Sequence, residues 1–141
     1  MPRRHNKRLY RSGLEQEAAT FLKTRQKTVE YEKIKIEWED LRYRTYTPDF
    51  ELDNGIIIET KGIFSAADRR KHIEIQSQHP KLDIRFVFSN AKQRLYKGAK
   101  SRYCDWCDQK NFKWAHRVIP EEWLTEKGKR MKEQRVIVKR R

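Results

Sequence analysis

Cysteine is scarce: the 141 residues hold two, Cys104 and Cys107. Two thiols cannot build a disulfide framework, and a chain of this length can bury a core without disulfides or a metal. Long apolar runs are also missing. No stretch approaches the roughly 18 residues that cross a bilayer as a helix, so a membrane protein is not expected. The first residues, MPRRHNKRLYR, carry basic groups with no apolar segment behind them, so a secretory signal is not expected either. No repeat or low-complexity linker divides residues 12–126. What these absences leave is a single-domain protein expected in the reducing cytoplasm.

Acidic residues are missing from the two ends. The net charge is +14, from 34 Lys and Arg against 20 Asp and Glu. Residues 1–11 hold five Lys or Arg and no acid, and residues 127–141 hold eight against one Glu. Residues 12–126 are left with only +2. The expected organisation is therefore a basic N-terminal arm (1–11), a nearly neutral globular domain (12–126) and a basic C-terminal tail (127–141). Arms of one sign repel themselves and suit a polyanion, most often nucleic acid.

Within the domain, Ser12-Gly13-Leu14-Glu15 reads as a capping box, with Ser at the N-cap and Glu at N3. Leu14, Ala18, Phe21 and Leu22 follow at helical spacing, to about Lys27. Val29 to Glu39 reads as a strand whose phase slips near Lys33, a mark of a bulge or of a change of partner sheet. Tyr43 to Leu52 reads as a second strand and Ile56 to Lys61 as a third, apolar on both faces and so central. Ser65-Ala66-Ala67-Asp68 opens a second helix that ends before Pro80. Leu82 to Phe88 is a fourth strand, parallel to the third because a helix separates them. A short helix near 103–110, a strand within 113–119 and a helical turn with Pro120 at N1 complete an α/β chain. The expected fold is a mixed central sheet flanked by helices.

The residues that carry chemistry are Pro48-Asp49, then Glu59-Thr60-Lys61. Glu59 and Lys61 are two apart in a strand, so they share a face about 6.8 Å apart. The turn decides where Asp49 falls. A two-residue Asn-Gly loop puts Asp49 opposite Thr60. A three-residue Asp53-Asn54-Gly55 loop pairs Leu52 with Ile56, puts Asp49 opposite Glu59, and needs its last residue in the left-handed region, where Gly55 fits. The second register is expected. Two carboxylates and an ammonium then converge. Adjacent carboxylates are stable together mainly around a cation, and hard oxygens select Mg²⁺ or Mn²⁺. Such an ion polarises a phosphodiester and acidifies water, while a lysine positions that water and offsets charge growing on phosphate. The same trio could also be a surface ion pair of small worth.

Pro48-Asp49…Glu59-x-Lys61 resembles the PD-(D/E)xK nuclease motif. Arg11-Ser12-Gly13-Leu14-Glu15, Tyr46-Thr47-Pro48-Asp49-Phe50, Glu59-Thr60-Lys61-Gly62, His79-Pro80-x-Leu82-Asp83-Ile84-Arg85, Leu95-Tyr96-Lys97-Gly98 and Ile119-Pro120-x-Glu122-Trp123 resemble, in order, the phage T-seven endonuclease I family of Holliday-junction resolving enzymes. The resemblance spans about residues 11–124; the tails and residues 37–44 depart from it. It implies a PD-(D/E)xK core, a segment-exchanged homodimer, and Glu15 as a metal ligand rather than only a capping residue. It further implies that Glu15 comes from one subunit and Asp49, Glu59 and Lys61 from the other. The expected site is then Glu15, Asp49, Glu59 and Lys61, with the three acids holding Mg²⁺ or Mn²⁺, two ions per site.

The expected substrate is branched DNA and four-way junctions. Its backbone contacts are expected at Arg3, Arg4, Lys7, Arg8 and Arg11 of the arm, at Arg69, Arg70 and Lys71 with His72 beside them, and at Lys92, Arg94 and Lys97. Cys104-x-x-Cys107 with His116 lacks a fourth zinc ligand, so ordinary helix-face thiols are expected. Trp106, Trp114 and Trp123 are expected in the core or at a dimer interface. Two alternatives remain open: a sequence-specific or nicking endonuclease with the same site, and a non-catalytic basic nucleic-acid-binding protein.

Overall fold

Three consecutive isoleucines set the centre of the molecule. Ile56, Ile57 and Ile58 are 0% exposed and begin β4 (Ile56–Lys61). Burying them contributes roughly 2 kcal/mol each, which offsets the cost of carrying Glu59 inside the same strand. The computed structural model describes residues 10–39, 43–126 and the backbone of 138–140. In chain order the elements are α1 (Gly13–Thr24), β1 (Ile34–Glu39), β2 (Tyr43–Tyr46), β3 (Phe50–Glu51), β4, α2 (Ala66–Gln78), β5 (Asp83–Phe88), α3 (Tyr103–Gln109), β6 (Trp114–His116), α4 (Glu122–Thr125) and β7 (Val138–Arg140).

The strands form two sheets rather than the single mixed sheet the sequence suggests. One has the order β3-β4-β5-β6, antiparallel at β3–β4 and parallel elsewhere; the other is antiparallel, β2-β1-β7. The parallel pairing of β4 with β5 across α2 is as expected. The strand expected over 43–52 is divided at residues 47–49 between the two sheets, because Pro48 has no N–H to give a ladder. The strand expected from Val29 is shorter and changes partner, as its phase slip suggests. Tyr31 bridges Phe50 of β3, Glu32 takes φ +50°, and the chain then enters β1 in the other sheet. β7 lies within the stretch expected as a basic tail and pairs with β1.

The hairpin register is the one that places the acids together. Phe50 opposes Ile58, Leu52 N–H donates to Ile56 O (2.8 Å), Gly55 N–H donates to Leu52 O (2.9 Å), and Gly55 has φ +91°. The loop is therefore Asp53-Asn54-Gly55, with Asp49 opposite Glu59. The four-stranded sheet is covered on both faces. Ala18, Ala19 and Leu22 of α1 pack with Phe50, Ile56, Ile58 and Trp123 on one. Ile75 of α2 and Trp106 of α3 pack with Ile57, Phe86, Phe88 and the β1 side chains on the other. Trp106 and Trp123 are core residues, and Trp114 packs against the core while its Nε1 donates to Asp108 (2.8 Å). The final helix starts later than expected, with Glu121 at the N-cap and Pro120 outside it.

Candidate active site at the end of the central strand

β4 ends where three elements meet: the Thr47–Asp49 break before β3, the N-terminal turn of α1 and the first turns of α2. Along β4, Ile57, Glu59 and Lys61 share the parity that faces α2, while Thr60 faces α1. Asp49 opposes Glu59, but its carboxylate bends to the sheet edge. Its Oδ2 accepts from Thr60 N–H (2.8 Å) and Thr60 Oγ1–H (2.7 Å). Asp49 thus stands between the two faces, and Thr60 is the residue that holds it there. Burial and the nearby Glu59 push the Asp49 carboxyl up to about 8, against the pull of the Thr60 hydrogen bonds.

On the α1 face, Glu15 lies against Asp49. Ser12 Oγ accepts from Glu15 N–H (3.1 Å), so the serine half of the capping box forms. The glutamate half does not: the Glu15 carboxylate turns inward, is buried, and accepts from the Tyr31 hydroxyl. Burial and Glu15 raise the Tyr31 phenol, so it stays a donor. Glu32 is the third acid. One carboxylate oxygen each from Glu15, Glu32 and Asp49 lies within 4.8 Å of the others. Arg11 Nε stands 3.2 Å from Glu32 Oε1.

On the α2 face, Glu59 is 6% exposed. The Tyr46 hydroxyl donates to its Oε2 at 2.6 Å, and Lys61 Nζ stands 3.7 Å from its Oε1. Burial raises the Glu59 carboxyl, while Lys61, Tyr46 and Lys71 pull it back. Lys61 also lies 3.5 Å from Asp68 Oδ1. Asp68 has a second duty: its Oδ2 accepts from Ser65 N–H (3.2 Å), and its own N–H donates to Ser65 Oγ (3.1 Å). One carboxylate thereby caps α2 and anchors the lysine. Lys71 is half-buried, 5.0 Å from the Tyr46 ring centroid, and burial lowers its pKa while Glu59 raises it.

The arrangement brings Asp49, Glu59 and Lys61 to one strand end and adds Glu15 from α1. Sequence reasoning missed Glu32, Tyr31, Tyr46 and Asp68 as site residues. Asp68 was legible as a helix cap, and the phase slip near Lys33 was the only signal beside Glu32.

Residues 2–141 match the sequence profile of a family described as phage endonuclease I. The chain belongs to the phage endonuclease I family. It is 44% identical over 121 residues to Endonuclease I of Escherichia phage T7, covering 85% of this chain and 81% of that protein. It is 42% identical over 123 residues to Endodeoxyribonuclease 1 of Enterobacteria phage T3, covering 86% and 81%. Membership of this family of endonucleases makes a nuclease of the chain, which removes a purely binding role from the alternatives.

The basic side chains of this phage endonuclease fall into groups. Arg3, Arg4, Lys7 and Arg8 lie outside the described residues. Arg11 is exposed and paired with Glu32. Arg69 is half-buried, its Nη1 donating to Phe64 O (2.6 Å), and Arg70 is exposed. Lys92, Arg94 and Lys97 are exposed beyond β5. His72 is not available to phosphate. It is 0% exposed among the rings of Tyr46, Phe86 and Phe112, and burial holds its pKa well below the usual value. Cys107 is buried, and burial pushes its thiol up, as for an inert core thiol. No helix among the described residues is long and apolar enough to cross a membrane.

Proposed function

We propose that this endonuclease is a divalent-metal-dependent, structure-selective DNA nuclease that resolves four-way junctions and related branched DNA in the cytoplasm of the host cell. The observation that carries the proposal is the convergence of Asp49, Glu59 and Lys61 at the end of β4 with Glu15 of α1. The donor set fits Mg²⁺ or Mn²⁺: hard carboxylate oxygens, close together, with Asp49 lifted to about 8 by burial and Glu59. Glu15 and Asp49 would hold one ion, Asp49 and Glu59 a second. When bound, such an ion polarises the phosphodiester and lowers the pKa of water beside it.

The chain's own residues do the rest. Thr60 fixes Asp49, Tyr31 fixes Glu15 and Tyr46 fixes Glu59, so the acids keep their places with little reorganisation. Lys61, anchored by Glu59 and Asp68, presents an ammonium to the attacking water and to charge growing on the phosphate. Resolution of a four-way junction needs two symmetric cuts, which a twofold dimer supplies. We assign the homodimer an exchange in which α1 and β1 of one subunit pack on the other. The exchanging connection is assigned to the divergent stretch 37–44, of which residues 40–42 lie outside the described residues. Exchange would replace contacts within a chain by the same contacts between chains, so Glu15 would meet the partner's acids in the geometry described above.

Cleavage of a synthetic four-way junction and of its component duplexes, with Mg²⁺ or EDTA, tests the activity. Metal-dependent cutting of the junction in preference to duplex is expected; equal cutting of both would leave a general endonuclease. Mixing Glu15→Ala with Lys61→Ala subunits tests the exchange. In a composite site one half of the heterodimer carries both defects and the other none, so single-strand nicking returns. Proven heterodimers without nicking would exclude it.

A further inference from the structure

Beyond Lys61 the chain leaves β4 through Gly62 and Ile63, and beyond β5 it leaves through Ser89 and Asn90. These are the carboxyl ends of adjacent parallel strands, where open α/β sheets carry their ligand crevices. Here the two connections, together with residues 93–98, line a groove of about 770 Å³. No acidic side chain lines it among the described residues. Residues 92–102 contain five Lys or Arg and no Asp or Glu.

The loop is built to be stiff. Arg94 and Arg102 form an antiparallel bridge, Leu95 N–H donates to Ser101 O (3.0 Å), and Tyr103 N–H donates to Gln93 O (2.9 Å). At the tip, Ala99 N–H donates to Tyr96 O (3.0 Å), a turn closed by Gly98 at φ +85°. This turn holds out Tyr96, 67% exposed, while Ile63, which lines the same groove, is 79% exposed. A singly exposed apolar side chain is ordinary on a protein surface; these two differ in lining one groove together with basic side chains and, among the described residues, no acid. Both line one basic groove that starts one residue after Lys61.

A ligand for such a groove is anionic along its length and carries a flat apolar face. A nucleotide whose base has left the helical stack has both features. Continuous duplex offers the same phosphates but hides its base faces; a branch point exposes them. We propose that the groove is a base-stacking subsite. Tyr96 and Ile63 grip an unstacked nucleobase near the scissile phosphate, Arg94 and Lys97 take its flanking phosphates, and the subsite contributes the preference for branched over continuous DNA. The inference rests on the endonuclease reading of the Lys61 site.

The test compares cleavage of a four-way junction with that of a continuous duplex in Mn²⁺, using the full-length protein. Tyr96→Ala should lower the junction-to-duplex rate ratio about tenfold, the scale of a lost base–aromatic stack. Tyr96→Phe should restore it, since the ring and not the hydroxyl is used. Lys97→Ala should instead weaken both DNAs alike and reduce the salt slope of binding by about one. A second reading needs no cleavage: a junction with 5-iodouracil at the branch, irradiated in EDTA, should crosslink at the peptide containing Tyr96. An unchanged ratio in Tyr96→Ala, or crosslinking only elsewhere, overturns the subsite while the nuclease stands. Wild-type protein that cuts neither DNA overturns the endonuclease reading, and the subsite with it.

Discussion

The two faces of the four-stranded sheet reach the end of β4 with opposite electrical settings. Towards α2, Glu59 is matched by cations of the chain itself, Lys61 at 3.7 Å and Lys71 nearby, and Asp68 shares the lysine. Towards α1, Glu15, Glu32 and Asp49 crowd within 4.8 Å, and Arg11 pairs with Glu32 at the rim. Asp49 belongs to both faces and is lifted to about 8. One half of the site is thus neutralised by the fold. The other concentrates negative charge at a cost in stability, which a bound cation would offset.

The largest expected effect breaks the α2 half. Lys61→Ala or Glu59→Gln should slow junction cleavage by roughly a hundred- to a thousandfold while leaving junction binding nearly intact, because binding is spread over many phosphates. Single-turnover cleavage beside a gel-shift titration reads both. Near wild-type cutting would remove the residue from the mechanism.

The next effect exposes the cost of the α1 half. An unfolded aspartate ionises near 3.9, whereas Asp49 in the fold keeps its proton to about 8. Between these values the unfolded chain has shed the proton and the native chain still binds it. Stability should therefore fall as pH rises from about 4 to about 8 and level off above. Asp49→Asn keeps the oxygen that accepts from Thr60 and removes the charge. In EDTA at pH 8 the variant should exceed wild type by a few kcal/mol, with the difference vanishing near pH 4. Denaturant melts at several pH values check this, and parallel curves for the two proteins would contradict it.

A smaller effect separates the two duties of Asp68. Asp68→Asn retains an acceptor for the α2 cap but loses the charge that anchors Lys61. Cleavage should drop about tenfold with little change in melting. Ser65→Ala should do the reverse, costing about 1 kcal/mol of stability with cleavage largely kept. Equal losses of activity in the two variants would reduce Asp68 to a helix cap.

Much of this site is legible in the amino-acid sequence. The left-handed demand of a three-residue hairpin fixed the register through Gly55, and that register alone aligns Asp49 with Glu59. The phase slip at Lys33 marked the passage between sheets. The division of residues 43–52 was hidden because Tyr46, Phe50 and Leu52 keep one parity through it: Tyr46 and Phe50, on either side of the three-residue break, are four apart, and period-two patterning is blind to an even spacing. Glu32, Tyr31 and Tyr46 were hidden for another reason. Each reaches its partner across elements that only tertiary structure brings together. His72 misled because it sits in a basic run, while its helical position turns it into the aromatic core.

The most direct test of the α1 half as a cation site is calorimetric titration of Mn²⁺ into the wild-type protein and into Glu15→Gln at neutral pH. The variant keeps the Ser12 cap, whose partner is the backbone N–H of residue 15, so its fold should be retained. Saturable binding to wild type is expected, with the Glu15–Asp49 site at least tenfold weaker or absent in the variant and melting nearly unchanged. Equal Mn²⁺ affinity in the two proteins would contradict it.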